Sequence, residues 1–180
     1  MEEHKEKLEF VKNHIDSYPD FPKPGILFRD LFSVLRNPRA FHALQDVMIE
    51  HVSSQLTPKP EVIVALDSRG FLLGPLLALH FHIPFIPIRK RGKLPGDVTR
   101  VSFALEYGTD IFEIQSLSLG SGQNVLIVDD LLATGGSLNA ACQLVNQLQA
   151  TVLECLVIME LVYLKGRDNV KAPVHSLIQF

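Results

Sequence analysis

Residues Val125 to Ser137 read V-L-I-V-D-D-L-L-A-T-G-G-S, and no other stretch of the chain restricts the possible folds as much. Val125 to Val128 is apolar without alternation, which suits a strand buried on both faces, as in a parallel sheet. Beyond it, Leu138, Ala141, Cys142, Val145 and Leu148 recur at helical spacing. The spacing therefore predicts a strand-to-helix loop over Ala133 to Ser137, at the carboxyl end of a sheet, where open α/β folds bind ligands.

The residue types in that loop suggest its chemistry. Gly135 and Gly136 lack Cβ, so main-chain N–H groups are free to turn around an anion. Thr134 and Ser137 add hydroxyl donors, and a helix N-terminus adds partial positive charge. The lysine of a nucleoside-triphosphate P-loop is missing. Asp129 and Asp130 would repel a phosphate on its own. They make sense beside a ligand that also offers vicinal hydroxyls, or that develops positive charge as it reacts. A ribose 5-phosphate passing through an oxocarbenium ion meets both demands. At about 4 Å and an effective dielectric near 20, one such carboxylate–cation attraction is worth roughly 4 kcal/mol. Taken alone, D-D or T-G-G would be an ordinary capped turn; the strand–loop–helix setting is what points to a site.

The rest of the chain alternates strand and helix patterns. Glu3 to Ser17 suits a short amphipathic helix, and Pro19 to Gly25 a rigid extended loop. Asn37 and Pro38 read as N-cap and first position of a helix with Phe41, Leu44, Val47, Met48 and Val52 on one face. Val62 to Leu66 reads as a buried strand with Asp67-Ser68-Arg69-Gly70 as its exit loop. Phe71 to His80 follows as helix, and Ile83 to Arg89 as a second strand. Gly92 to Ser102 looks polar and flexible; Phe103 to Tyr107 and Ile111 to Ile114 look like an antiparallel pair. Thr151 to Leu161 and Val174 to Phe180 complete the strands. Such alternation predicts an α/β fold with a central, mainly parallel twisted sheet flanked by helices.

Several segments together resemble the type I phosphoribosyltransferases. The signature loop at Val125 to Ser137 carries the resemblance to the family. Y-P-D-F-P-K-P-G-I-L-F-R-D from Tyr18, L-D-S-R-G-F from Leu66, R-K-R-G-K-L-P-G from Arg89 and L-E-Y-G from Leu105 are similar, in order and spacing, to its adenine branch. The resemblance implies one domain over residues 1–180, with a small N-terminal hood of about residues 1–35 and a flexible loop of about residues 92–107. It implies transfer of the phosphoribosyl group from 5-phosphoribosyl 1-pyrophosphate to adenine, giving AMP and pyrophosphate, with Mg²⁺ held mainly by the substrate.

It also distributes roles. Ala133, Thr134, Gly135, Gly136 and Ser137 would hold the 5-phosphate, with Asp129 and Asp130 at the ribose. Asp67, Ser68 and Arg69 would form a pyrophosphate loop with a strained peptide bond after the aspartate. Arg89 and Lys93 would neutralise the departing pyrophosphate, Arg89 acting on the neighbouring site of a homodimer. Glu106 would assist protonation of the purine, its pKa raised by loop closure, and Tyr107 would hydrogen-bond near the leaving group. Leu27 and Arg29 would line the base pocket, although Leu27 reads as an ordinary core leucine from the sequence alone. Loop arginines, charge runs and loop glutamates are commonly just solvated, so Arg69, Arg89 and Glu106 gain these roles only through the resemblance.

Composition narrows the alternatives. A net charge of −3 argues against a general nucleic-acid binder, and with it against a non-catalytic regulator that senses the same ligand. No apolar run reaches the ~20 residues of a membrane span. Met1-Glu2-Glu3-His4-Lys5 is charged, with no apolar core behind it, so a cytoplasmic protein is expected. Cys142 and Cys155 read as small core residues in a reducing compartment. Transfer to hypoxanthine, guanine or xanthine instead of adenine is the alternative within the class.

Overall fold

A computed structural model of the chain describes residues 2–104 and 109–180. The chain divides into two compact units, Met1–Gln55 and Leu56–Phe180.

In the first unit, α1 (Glu2–Lys12) lies along α3 (Pro38–Gln55). Lys7 reaches Asp46 at 2.9 Å across that contact. Asn37 caps α3 as expected, its Oδ1 accepting from the amides of Arg39 at 3.0 Å and Ala40 at 3.2 Å. The helix predicted to run to Ser17 stops at Lys12. Asp16–Pro19 is instead β1, paired antiparallel with β2 (Leu27–Asp30). β1 is exposed along its whole length, so it has no apolar alternation by which to be read. The short α2 (Leu31–Leu35) follows, capped by Asp30, which accepts from the Phe32 amide.

The second unit is a seven-stranded sheet in the order β5-β6-β4-β3-β7-β8-β9. Its parallel members are β3 (Val62–Leu66), β4 (Phe85–Lys90), β7 (Asn124–Leu132), β8 (Thr151–Glu160) and β9 (Val174–Gln179). β5 (Val98–Ala104) and β6 (Thr109–Gln115) form an antiparallel pair joined to β4 through β6. The antiparallel pair was expected, but its first strand starts at Val98, inside the stretch read as flexible. Residues 105–108 lie outside the described residues.

All of β3 is buried, as is Val125 to Val128 of β7, which fits parallel strands covered on both faces. α5 (Gly136–Gln147) packs on the face carrying Val64, Leu66, Ile127 and Val157, using Leu138, Ala141, Cys142 and Val145. α4 (Gly74–Phe81) packs on β3 and β4 with Pro75 in its first turn. A Cβ on Gly74 would sit 2.9 Å from both Ala65 Cβ and the Phe85 ring, so a glycine lets this helix lie close to the sheet. Cys142 and Cys155 are buried free thiols, their sulfurs 3.5 Å apart. No helix among the described residues is long and apolar enough to cross a membrane.

The chain leaves β3 toward β4 on one side and leaves β7 toward β8 on the other, with β3 and β7 adjacent. Their carboxyl ends are therefore the switch point of the sheet, where ligands of open α/β folds bind.

Candidate functional site

Two loops meet at that switch point. The first leaves β3 at Asp67, whose amide bonds to the Ile88 carbonyl at 2.9 Å and so extends the pairing with β4. The Asp67–Ser68 peptide is cis, and a single 3₁₀ turn (Arg69–Leu72) follows. A Cβ on Gly70 would stand 2.8 Å from the Val128 carbonyl oxygen and 3.3 Å from Asp129 Oδ1. Only glycine lets this loop press against β7, and that approach carries Arg69 to Asp130. Arg69 Nε donates to Asp130 Oδ2 in a short ion pair.

The second loop leaves β7. This strand runs on through both aspartates and ends at Leu132, later than the apolar run alone suggested. The turn is then only Ala133 to Gly135, and Ser137 already belongs to α5. Gly135 has φ +84°, a left-handed conformation that favours glycine. The first helical hydrogen bond is Asn139 N to Gly135 O, 2.9 Å. The amides of Gly136, Ser137 and Leu138 precede it and have no partner within the helix, the usual basis of anion binding at a helix start.

Between the loops lies a cavity of about 300 Å³, walled by residues 67–69 and 129–138. It unites most of the predicted ligand-binding residues: Asp67, Ser68, Arg69, Asp129, Asp130 and all of Ala133 to Ser137. Asp130 is buried, with 6% of its surface exposed, whereas Asp129 is half-buried. Burial, and after it the neighbouring charge of Asp130, pushes the Asp129 carboxyl well above the usual carboxylate range; Arg69 opposes this more weakly. Arg69 lines the cavity while paired with Asp130. Its ion pair with Asp130 turns part of its charge to holding the aspartate.

The remaining predicted residues fall elsewhere. Arg89, at the end of β4, donates through Nε to Asp67 Oδ2 at 2.9 Å and through Nη1 to the Lys93 carbonyl at 3.2 Å. It ties the β3 loop of its own chain to the basic loop that follows β4. Lys93 is exposed. Neither is among the walls of the cavity. In the first unit, Leu27 is 42% exposed on β2, which rules out its reading as a core leucine, and Arg29 Nη1 donates to Ser17 Oγ at 2.6 Å. Glu106 and Tyr107 lie outside the described residues.

Sequence reasoning missed two supports. Glu113 on β6 is 1% exposed; its carboxylate accepts from Arg100 Nε at 2.7 Å and from the Gly92 amide at 2.9 Å. The hydrogen bond from Arg100 is the main reason its pKa lies below the ordinary glutamate range. Behind the β7 loop, the 3₁₀ turn Gly166–Asn169 packs on Ala133 to Gly135. No local pattern marks either support, because each partner lies far away in sequence.

The phosphoribosyl transferase domain family matches residues 32–175. Among curated relatives, the adenine phosphoribosyltransferase of Drosophila pseudoobscura pseudoobscura is 53% identical over 175 residues, covering 97% of this chain and 96% of its own. The human adenine phosphoribosyltransferase is 47% identical, covering 97% of each. Among solved structures, the Saccharomyces cerevisiae adenine phosphoribosyltransferase, complexed with an imino-altritol bisphosphate and adenine, superposes with a TM-score of 0.90 at 45% identity. The match covers 96% of this chain and 99% of the yeast chain.

Proposed function

The chain belongs to the adenine phosphoribosyltransferases, enzymes of purine salvage that make AMP and pyrophosphate from adenine and 5-phosphoribosyl 1-pyrophosphate, and from that premise we propose how its residues divide the work. The observation that carries the proposal is the pairing, in one cavity, of a glycine-turned helix start with two carboxyls on the adjoining strand. The amides of Ala133 to Ser137 take the 5-phosphate, which serves as a handle that fixes the anomeric carbon. Asp129 and Asp130 accept from the ribose hydroxyls and favour the positive charge that develops as the glycosidic bond breaks. Arg69 holds the Asp130 carboxylate in place.

Asp67 and Ser68 are assigned the pyrophosphate, and Arg89, joined to Asp67 and the Lys93 carbonyl, ties the basic loop to theirs. The donors in the cavity are carboxylate, hydroxyl and main-chain oxygens, without thiol or imidazole, which fits Mg²⁺ carried in on the substrate and held by few protein ligands. When bound, Mg²⁺ neutralises the leaving pyrophosphate. Glu106 and Tyr107 are assigned the protonation of the purine and a hydrogen bond near the leaving group; Leu27 and Arg29 are assigned the base. The family match from 32 to 175 runs across the boundary between the compact units and supports one functional domain. We assign a homodimer, which the family resemblance suggests, and a cytoplasmic location, which two core thiols without a disulfide support.

Incubation with 5-phosphoribosyl 1-pyrophosphate, Mg²⁺ and each purine in turn, with the nucleotides resolved, tests the assignment. AMP from adenine is the expected product; IMP, GMP or XMP as the main product, or no nucleotide, would overturn it.

A further inference from the structure

We propose that the turn Gly166–Asn169 is the positioning element of the 5-phosphate loop, with Asn169 as the residue through which it acts. This rests on the assignment of Ala133 to Ser137 to the phosphate.

The turn lies behind the loop, outside the walls of the cavity. Three contacts join them, all to the main chain. Asn169 Nδ2 donates to the Thr134 carbonyl at 2.8 Å. The Ala133 carbonyl oxygen lies against Gly166, so close that a Cβ on Gly166 would collide with it. The Gly166 carbonyl in turn occupies the place a Cβ on Gly135 would need. The two glycines therefore bring backbone onto backbone, with no room for a side chain between.

Geometry converts these contacts into amide direction. The peptides at 133–135 are trans, and in a trans peptide C=O and N–H point in opposite directions. With the carbonyls of Ala133 and Thr134 both turned to the rear segment, the N–H groups of Thr134 and Gly135 are turned away from it. Asn169 thus fixes one side of the peptide plane whose other side is available to the phosphate.

The turn itself is firmly anchored. Arg167 forms a two-pronged ion pair with Glu160, Nε to Oε1 at 2.7 Å and Nη2 to Oε2 at 2.6 Å. It also donates to Ser176 Oγ at 2.9 Å on β9. Glu160 is 3% exposed, and Ser176 and Gln179 donate to the same carboxylate. Such forked, charge-assisted bonds are stronger and more directional than neutral ones. The end of β8 and the edge strand β9 thereby hold a turn that holds the loop.

Asn169 is exposed, so its replacement should leave the fold intact. Asn169→Ala should raise KM for 5-phosphoribosyl 1-pyrophosphate, and Kd for the probe ribose 5-phosphate, by about three- to tenfold, the range one neutral hydrogen bond controls. KM for adenine, kcat and Tm should stay near wild type. Asn169→Asp keeps the shape but removes the donor, and should weaken binding at least as much, including at high salt, where long-range repulsion is screened. Both variants binding ribose 5-phosphate as wild type does would overturn the proposal, as would equal losses for adenine and the phosphorylated ligand. If wild type itself neither bound ribose 5-phosphate nor formed AMP, the functional assignment would fail instead.

Discussion

The loops that follow β7 and β4 both lie at carboxyl ends of parallel strands, yet they are built by opposite means. The β7 loop is held by main chain: Gly135 and Gly166 in mutual contact and one side-chain amide on the Thr134 carbonyl, with an ion pair to the buried Glu160 behind. The β4 loop is held by ion pairs between side chains: Arg89 to Asp67 at 2.9 Å and Lys90 to Asp110 at 2.9 Å, which water reaches, and Arg100 to the buried Glu113 at 2.7 Å. The pairs that water reaches are each worth roughly 0–1 kcal/mol and weaken with salt. A main-chain fit has no such dependence, and fails when an atom is added where none fits. One half of the site is specified by shape and the other by charge. This suits a ligand with one end that is gripped throughout and another that must leave.

The largest effect is expected where the two kinds of support meet. Asp130→Asn keeps an acceptor for Arg69 but removes the charge, and should lower kcat by about 10²–10³-fold, the usual cost of deleting one preorganised electrostatic group. Steady-state kinetics beside a melting curve checks this; turnover close to wild type would remove Asp130 from the chemistry. Next comes the shape-specified half. Gly135→Ala must relieve both the positive φ and the collision with the Gly166 carbonyl. Strain of that kind costs about 1–3 kcal/mol, so KM for 5-phosphoribosyl 1-pyrophosphate should rise roughly five- to a hundredfold and Tm should fall by a few degrees, at low and high salt alike.

The smallest effect belongs to the charge-specified half. Glu113→Gln should raise KM for pyrophosphate in the reverse reaction by only about two- to fivefold, and added salt should narrow the gap from wild type. Its pH dependence has a fixed sign. Arg100 lowers the folded-state pKa of Glu113, so the stability this group adds is present above the usual glutamate value of about 4.3 and is lost as pH falls through the folded value. The Tm difference between wild type and Glu113→Gln should therefore persist at neutral pH and close in acid. A difference that grew in acid would contradict the pairing.

The same contrast explains what the sequence could disclose. Val125 to Ser137 and Asp67 to Gly70 are local: a buried strand, its exit residues and the start of a helix follow one another, so periodicity and glycine placement locate both loops. β5 begins at Val98 within a run of polar residues, because its outward positions are wet and its pairing with β6 sets the strand. β1 is fully exposed and offers no pattern at all. Arg69 was visible as a cation near the site, but its pairing with a carboxylate 61 positions away was not. Asn169, Gly166 and Glu113 carry no motif, since their work is to place main chain that belongs to distant segments.

The claim beneath all of this is that bare amides at the end of β7 grip a phosphate monoester. Titrating ¹⁵N-labelled protein with ribose 5-phosphate tests it most directly. The amide resonances of Thr134, Gly135, Gly136 and Ser137 should shift together and saturate along one binding curve, and 5-phosphoribosyl 1-pyrophosphate should displace the ligand. Saturable binding that leaves those four amides unmoved would contradict the account.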